Sequence, residues 1–381
     1  PLEGQMWYNN TTGTLKGRVN SGAWSSSTPL TTATVAGATI GTQTAGLVTS
    51  GYGHPGNPSG IPQTQVYNGL GWTAGAAITE PRVYFAGAGT TAAGVVFGGI
   101  DQSPPYRDAT CELYDGTSWT ESGDLTTARS QVVGTGTQTT AMCIAGDSVP
   151  SDAETAVEEF NGASWTAGTA ISTGRRNGAG CGTSTSSLIY GGDTPTKLAA
   201  TEEWNGTSWT AGGDLSSART ALGGAGTDAT NGLAFGGNPG PGPTTATESY
   251  DGTSWTAGGS LGTARVDQDG FGHTNTAAVI AGGTGPPTVN ATEEYNVSTN
   301  TVTPATWASG GTMPGSYYGF TGRGVGTTDA GLAMAGATSP PVVNQTTLLK
   351  YDGTSWTTHP SSMATARRSG ASFGTQTAAL H

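Results

Sequence analysis

Four histidines and a few loop aspartates are the residues of this 381-residue chain whose types could do chemistry. The histidines are His54, His273, His359 and His381, and they fall at different positions of the sequence repeat described below. No His-x-x-x-His or Cys-x-x-Cys spacing is present, although such spacings commonly mark a zinc site. A Gly-x-x-x-x-Gly-Lys-Ser/Thr phosphate loop is also missing. The sequence therefore predicts neither a metal nor a cofactor.

Paired carboxylates are the one catalytic arrangement that the sequence leaves open. Glycoside hydrolysis needs two carboxyl groups within about 10 Å of each other, and aspartates from separate loops can meet that requirement. The candidates are Asp101, Asp108, Asp152 and Asp193. Nothing in their spacing favours such a pair, so we predict a protein without enzymatic activity. A propeller enzyme acting on polysaccharide, as a glycosidase or lyase, is kept as an alternative.

Arginine and glutamate occupy fixed positions in the repeat, and this regularity predicts ion pairs. Five units between residues 80 and 314 carry both charges, whereas the unit at 31–79 carries neither and has Thr34 and Gln65 instead. Joint loss favours a partly buried pair within one unit over the alternative, a ring of arginines that gathers an anionic ligand. The predicted pairs are Arg129 with Glu158, Arg175 with Glu202, and Arg219 with Glu248.

The strands that position these charges are indicated by a short sequence motif, here called the phrase, Tyr-Asp-Gly-Thr-Ser-Trp-Thr, which recurs along the chain with small changes. An Asp-Gly or Asn-Gly pair between two segments predicts a β-hairpin, here with a type I′ turn whose two central residues have positive φ. The aromatic residue before the turn and the Trp after it then lie on neighbouring antiparallel strands, where aromatic pairs add stability. Copies of the phrase begin at Tyr67, Tyr114, Phe160, Trp204, Tyr250 and Tyr351.

A longer period of 44 to 52 residues separates the tryptophans of the repeat, which is the spacing of propeller blades. The unit at 127–172 divides into an inner strand after Arg129, an apolar second strand ending near Gly146, a third strand around Phe160 and a fourth at Trp165. No segment keeps a 3.6-residue apolar period long enough for a helix. Second strands end in paired glycines at Gly98-Gly99, Gly191-Gly192, Gly236-Gly237 and Gly282-Gly283. These pairs, with an aromatic residue before the turn and a Trp after it, make the repeat resemble that of kelch-type β-propellers.

The predicted fold is all-β, a single β-propeller of four-stranded antiparallel blades with eight blades. In the split eighth blade, residues 364–381 and 1–30, N-terminal outer strands pair with C-terminal inner strands near residues 378–380. Closing the ring in this way removes two exposed sheet edges. Seven blades with a detached N-terminal hairpin is the alternative. The other predicted blades span 31–79, 80–126, 127–172, 173–216, 217–262, 263–314 and 315–363.

Variation between repeats is concentrated in the loops that join second and third strands. In a propeller these loops emerge on one face, and many of them contain proline, which lowers the entropy lost on binding. A rigid ring with one variable rim is typical of a binding scaffold. The predicted rim residues are His54, Asp101, Tyr106, Arg107, Asp152, Asp193 and Lys197.

Composition excludes several classes of partner. A net charge of −12 argues against a surface that neutralises nucleic-acid phosphates. No run of about 18 apolar residues exists, so membrane insertion is not expected. Ten tryptophans and twelve tyrosines argue for a packed structure despite 64 glycines. The three cysteines, Cys111, Cys143 and Cys181, are predicted to be buried free thiols.

Two segments resemble structural proteins of marine bacteriophages, especially of cyanophages and related tailed phages. They are EGQMWYNNTTGTLKG near the N-terminus and DGTSWTAGGSLGTAR at 251–265. The resemblance implies an extracellular virion protein, such as a tail fibre or tail-tip component, that contacts the host. Its implied partners are a host cell-surface glycan or protein and other virion proteins, and a homo-oligomer is compatible with it. A cellular kelch-type interaction scaffold is a further alternative.

Overall fold

The computed structural model describes residues 22–53, 60–101, 106–148, 153–285, 290–297, 313–314, 337–338, 341–352 and 354–366 in full. It also gives the backbone of the strands at 6–9, 14–17, 325–327, 330–334, 373–375 and 378–380. The chain forms two compact units, the first made of residues 1–4 and 18–301, the second of residues 5–17 and 302–381. All regular elements in this described part are β-strands. It contains no helix that is long and apolar enough to cross a membrane.

The first unit is a β-propeller of six four-stranded antiparallel blades. The inner strands of successive blades contact each other, and the inner strand of blade 6 contacts that of blade 1, so the ring is closed. The strands are given from the inner strand outward. Blade 1 has Ala38–Thr42, Ala45–Thr49, Thr64–Tyr67 and Trp72–Ala74. Blade 2 has Ala86–Thr90, Ala93–Phe97, Cys111–Tyr114 and Trp119–Glu121, and blade 3 has Val133–Thr137, Thr140–Ile144, Val157–Phe160 and Trp165–Ala167. Blade 4 has Ala179–Thr183, Ser186–Tyr190, Thr201–Trp204 and Trp209–Ala211; blade 5 has Gly223–Asp228, Asn231–Phe235, Thr247–Tyr250 and Trp255–Ala257; and blade 6 has Asp269–Thr274, Ala277–Ala281, Thr292–Asn296 and Ala23–Ser27.

The second unit contains one four-stranded sheet and three two-stranded sheets among its described residues. The four-stranded sheet has the strand order of a blade, Val325–Thr327, Ala330–Met334, Leu348–Tyr351 and Trp356–Thr358. The two-stranded sheets pair Met6–Asn9 with Thr14–Gly17, Ala337–Thr338 with Val343–Asn344, and Phe373–Thr375 with Ala378–Leu380.

The repeated phrase forms the predicted hairpin, but its turn is not type I′. In blade 3, Phe160 pairs directly with Trp165, and their ring centroids lie 4.9 Å apart. Four residues separate the pair, and of these only Gly162 has a positive φ, of 95°. The reason is the Asn161 side chain, whose Oδ1 accepts hydrogen bonds from the backbone N–H groups of residues 163 and 164. Such side-chain capping stabilises a wider loop than the two-residue turn.

The predicted blade count is wrong. The ring has six blades, not eight or seven, and its inner strands close without residues 364–381. The strand at 378–380 pairs with 373–375, and its further pairing with the N-terminal hairpin stays a prediction. Blade 6 is closed by Ala23–Ser27. Its Trp24 lies opposite Tyr295, just as Trp165 lies opposite Phe160 in blade 3. Tyr295 is followed by Asn-Val, with no glycine to form the hairpin, so the outer strand comes from another part of the chain. Trp307, the next tryptophan of the repeat, lies outside the described residues.

The strands predicted for an eighth blade therefore serve other elements. Residues 23–27 complete blade 6, while the strands at 6–9 and 14–17 belong to the second unit. The predicted blade at 315–363 contains the four-stranded sheet of that unit.

The three predicted Arg–Glu pairs are present within their own blades. Nη2 of Arg129 lies 2.8 Å from Oε1 of Glu158, and the same atoms are 2.8 Å apart in the pairs at 175/202 and 219/248. The arginine side chains are at most 1 % exposed and the glutamates at most 4 %. Contact is through one carboxylate oxygen rather than the bidentate geometry that a guanidinium can adopt. In blade 3 the other oxygen of Glu158 accepts the backbone N–H of Thr126, which ties the third strand to the chain that enters the blade.

Apolar packing joins one blade to the next. The ring of Phe97 in blade 2 meets Trp165 of blade 3 edge-on, with centroids 4.6 Å apart. Cys111, Cys143 and Cys181 are buried free thiols in these contacts, and burial raises the pKa of Cys143 to about 11. The interior between blades is thus filled, and functional groups must be sought on the faces of the ring.

Candidate functional site

In each blade, the residue two positions before the inner strand is a non-glycine residue in a left-handed conformation. These six residues have φ between 49° and 57°. Their backbones form a closed belt of hydrogen bonds, in which each N–H donates to the C=O of the equivalent residue in the preceding blade, over 2.7 to 3.3 Å. The belt consists of Ala36, Tyr84, Gln131, Asn177, Ala221 and Asp267.

The belt is conformationally costly, since a left-handed non-glycine residue costs on the order of 1 kcal/mol or more. Six of them persist because the hydrogen bonds of the whole ring fix the backbone. Strained residues that the surrounding structure holds in place cluster at ligand sites. The belt is therefore a rigid platform on which side chains are presented.

A cavity of about 360 Å³ lies over the belt. All belt residues except Ala36 line it. A second cavity of about 250 Å³ follows the inner strands and is lined mainly by glycine and alanine, so it offers few side-chain groups. We therefore take the first cavity as the candidate site. Its remaining lining residues are Asp193, Pro195, Lys197, Thr220, Asn238 and Val266.

Polarity is divided around the ring. Immediately before each belt residue, the chain forms one antiparallel bridge to the segment that follows the second strand of the same blade. The bridge residues of blades 3, 4 and 5 are all polar, whereas those of blades 6, 1 and 2 are valine, isoleucine, threonine and tyrosine. The pairs, from blade 1 to blade 6, are Val35 with Tyr52, Val83 with Ile100, Ser130 with Asp147, Arg176 with Asp193, Thr220 with Asn238, and Val266 with Thr284.

Asp193 organises the polar half. Its Oδ2 accepts from Nε of Arg176 at 3.1 Å, and its Oδ1 accepts from Nδ2 of Asn177 at 3.2 Å and from Oγ1 of Thr220 at 2.7 Å. These contacts link blades 4 and 5. The carboxylate is thus fully engaged and serves to orient the side chains around it.

Lys197 reaches from blade 4 towards blade 5. It lies on the short hairpin Asp193–Thr194 and Thr196–Lys197, and its Nζ is 3.4 Å from Oδ1 of Asn238. In blade 3, Oε1 of Gln131 is buried and accepts no hydrogen bond from the described residues. The polar half therefore holds a cationic donor and an unpaired amide acceptor beside the same cavity.

The other half combines aromatic rings with a carboxyl group. The rings of Tyr52 and Tyr84 meet edge to face, with centroids 5.9 Å apart. The carboxyl group of Asp267 has no hydrogen-bond or ion-pair partner among the described residues, and burial raises its pKa to about 6. Two residues on, burial raises the pKa of Asp269 to about 7, although Oγ1 of Thr34 donates to its carboxyl.

The predicted rim residues do not all meet at this cavity. Asp193 and Lys197 line it. Arg107 instead pairs with Asp147, Nη2 to Oδ2, at 3.0 Å. Tyr106 is 53 % exposed, and neither it nor Asp101 is among the lining residues. His54 and Asp152 lie outside the described residues.

The belt side chains were missed by sequence reasoning. Tyr84, Gln131, Asn177 and Asp267 each stand two residues after the arginine of their repeat, so a fixed position with unusually variable side chains was visible in the sequence. Its conformation was not visible, because a left-handed backbone is normally marked by glycine or asparagine.

Two other kinds of site find no support in the described part of the chain. No group of three or more His, Cys, Asp and Glu side chains there could hold a metal ion. The repeat arginines do not form an anion-binding ring either, because five of them pair with glutamates of their own blades. The sixth, Arg367, lies outside the described residues.

Comparison with known proteins supports the fold. No family model matches the chain, and no curated protein matches it. Among solved structures, YjhT is similar with a TM-score of 0.60, at 15 % sequence identity, over 73 % of this chain and 99 % of that chain. At this identity the likeness shows the fold alone. Fold and cavity together define a six-bladed β-propeller with a candidate ligand site over its central belt.

Proposed function

We propose that this protein is a non-catalytic adhesion component of a phage virion, in a tail fibre or tail tip, that binds a host-surface glycan. The observation that carries the glycan-binding proposal is the divided cavity over the belt, where the ring of Tyr84 lines one half and fixed polar side chains line the other. The virion assignment rests on the two sequence segments that resemble marine phage proteins.

A sugar ring suits such a cavity because it has apolar C–H faces and a rim of hydroxyl groups. Tyr84 offers a face for stacking, and large aromatic side chains contribute much of the energy of such contacts. Asn177, Asn238 and Lys197 supply donors, and Gln131 supplies an unpaired acceptor, so hydroxyl groups of a ligand would find both kinds of partner. Apolar walls with a few fixed polar groups are the usual composition of a small-molecule site.

The rigidity of the belt also favours binding. Its residues are fixed by hydrogen bonds that run around the whole ring. Little conformational entropy is then lost when a ligand enters, which leaves more of the interaction energy as affinity.

Screening the purified full-length protein on an array of bacterial surface glycans tests the proposal, followed by titration calorimetry with the glycans that bind. Tyr84→Ala is expected to weaken binding at least tenfold, or about 1.4 kcal/mol. Tyr106→Ala, which removes an exposed aromatic ring outside the cavity, serves as the matched control and is expected to leave affinity unchanged. Absence of binding to every glycan, or equal loss in both variants, would contradict a glycan site in the cavity.

One observation is compatible with the alternative that the protein is an enzyme. With a pKa of about 6, the Asp267 carboxyl would suit a general acid. The second carboxylate of the cavity, Asp193, is held by three donors and is poorly placed to act as nucleophile or base. We therefore expect no depolymerisation when the protein is incubated with host polysaccharide, and the appearance of new reducing ends would favour the enzyme.

A further inference from the structure

We propose that the glycan recognised by this cavity carries a free ammonium group, which pairs with Asp267 beside Tyr52 and Tyr84. The inference rests on the proposed glycan-binding function and specifies the ligand that the same site selects.

The order of the blades places these three side chains on the same side of the ring face that carries the cavity. Asp267 belongs to blade 6, Tyr52 to blade 1 and Tyr84 to blade 2, and blades 6, 1 and 2 are consecutive in the closed ring. The belt residue of blade 1 is Ala36, so no large side chain stands between Asp267 and Tyr84 at the belt. Tyr84 and Asp267 line the same cavity, and the ring of Tyr52 meets that of Tyr84 with centroids 5.9 Å apart.

Asp267 is the unsatisfied charge of the cavity. Asp267 is half-buried. A carboxylate withdrawn from water is stabilised by a cation or several donors, and Asp193 in the same cavity has Arg176, Asn177 and Thr220. Asp267 has none of these among the described residues. The cavity-lining cation, Lys197, belongs to blade 4 and lies in the other half of the ring, where its Nζ is close to Asn238.

The chemistry of this group favours an organic ammonium over other cations. Aromatic rings attract a cation placed over their faces, and a carboxylate adds a charge-assisted hydrogen bond. A metal ion would need several oxygen ligands, and no suitable cluster exists among the described residues. A primary ammonium attached to a sugar ring can meet the carboxylate while the ring itself stays against the tyrosines.

The same pairing predicts a pH dependence of binding. The groups that face the Asp267 carboxyl are the phenols of Tyr52 and Tyr84 and the carboxyl of Asp269, while Lys197 and Asp193 line the far half of the cavity. Since burial raises the pKa of Asp267 to about 6, its carboxyl is ionised above that pH and neutral below it. Affinity for an ammonium-bearing sugar should therefore fall as the pH drops below about 6.

The test compares two glycans of equal length by titration calorimetry at pH 7, a glucosamine tetrasaccharide with free amines and its fully N-acetylated form. The wild-type full-length protein is expected to bind the amine form at least tenfold more tightly. Asp267→Asn should remove this preference, and Tyr52→Leu should reduce it. Glu121→Gln, which removes one exposed carboxylate from an outer strand, is the matched charge control and should keep it. Circular dichroism of each variant checks that it folds.

The outcomes separate this inference from the proposed function. Equal affinity of the wild-type protein for both tetrasaccharides, or binding of neither, overturns the ammonium site. If other glycans still bind on the array and lose affinity in Tyr84→Ala, the proposed function stands without it. An amine preference that survives in Asp267→Asn would likewise overturn the assignment, because the selecting charge would then lie elsewhere.

Discussion

Removing one partner of a buried Arg–Glu pair should destabilise the ring strongly. Arg175 is completely buried, and its Nη2 lies 2.8 Å from Oε1 of Glu202. Its Nη1 also donates to the carbonyls of Gly191 and Ala200, at 3.1 and 2.8 Å. Glu202 in turn accepts the backbone N–H of Ser172 at 2.6 Å. The pair therefore joins the second and third strands of blade 4 to the chain that enters the blade.

The magnitude follows from what each change leaves behind. Arg175→Met leaves the Glu202 carboxylate buried without its cation and frees two carbonyls, which should cost about 3–5 kcal/mol of unfolding free energy. Glu202→Gln keeps an acceptor for the backbone but leaves the guanidinium unpaired, and should cost a similar amount. The double variant has no buried charge and should be less destabilised than the sum of the two single changes. Blade 1 is a natural precedent, because Gln65 there accepts the backbone N–H of Thr32 without an arginine partner.

Equilibrium unfolding in urea, followed by tryptophan fluorescence and circular dichroism, measures these differences. Glu121→Gln, on the exposed edge of blade 2, is the control and should change the unfolding free energy by less than about 0.5 kcal/mol. A loss below about 1 kcal/mol for Arg175→Met would show that the pair behaves as a surface ion pair. Strict additivity in the double variant would also refute the reasoning, since the two side chains would then be energetically independent.

Three further predictions concern closure, a hairpin turn and pH. Trp24→Ala should lower the unfolding free energy by about 3–5 kcal/mol, because the indole closes blade 6 and its ring centroid lies 5.1 Å from those of Phe235 and Tyr295. Urea unfolding measures the loss, and a cost below about 1 kcal/mol would contradict closure by this strand. Gly182→Ala should destabilise blade 4, because φ is 113° there and a Cβ would collide with the Ser186 carbonyl; unchanged thermal unfolding would refute this. Burial raises the folded-state pKa of Asp267 from 3.8 to about 6, so the unfolded state releases its proton at lower pH. The carboxyl group therefore lowers the unfolding free energy as pH rises from about 4 to above 6. Asp267→Asn should flatten this slope when unfolding free energy is measured against pH.

Local and repeated features of the fold could be predicted from the sequence. The pairing of Tyr114 with Trp119 and the partnership of Arg129 with Glu158 both occur within one blade, so the residues lie close in the chain. The repeat shows each relation several times, and the joint absence of both charges at Thr34 and Gln65 identifies the partners. Local capping was underestimated, because an Asn or Asp side chain converts the expected two-residue turn into a four-residue loop.

The candidate site depended on contacts between blades. Tyr52, Tyr84 and Asp267 are brought to the same side of the ring face that carries the cavity only when blade 6 meets blade 1. Asp193 and Lys197 were predicted from the loop that contains them, but nothing in the sequence showed that they share a cavity with Gln131. Left-handed backbone at six non-glycine positions is also fixed by the belt, whose hydrogen bonds exist only in the closed ring.

The sequence by itself determined the four-stranded antiparallel blade, since hairpin phrases, apolar second strands and paired charges are encoded within each repeat. The number of blades was decided by tertiary structure, because it depends on how closely and at what angle inner strands meet. Gly134 is so near the Gly87 carbonyl that a Cβ would lie 2.7 Å from it, and this close approach of neighbouring inner strands accompanies a ring of six. The closing strand was likewise decided by packing, because Ala23–Ser27 and Thr292–Asn296 are far apart in the chain and no turn sequence joins them.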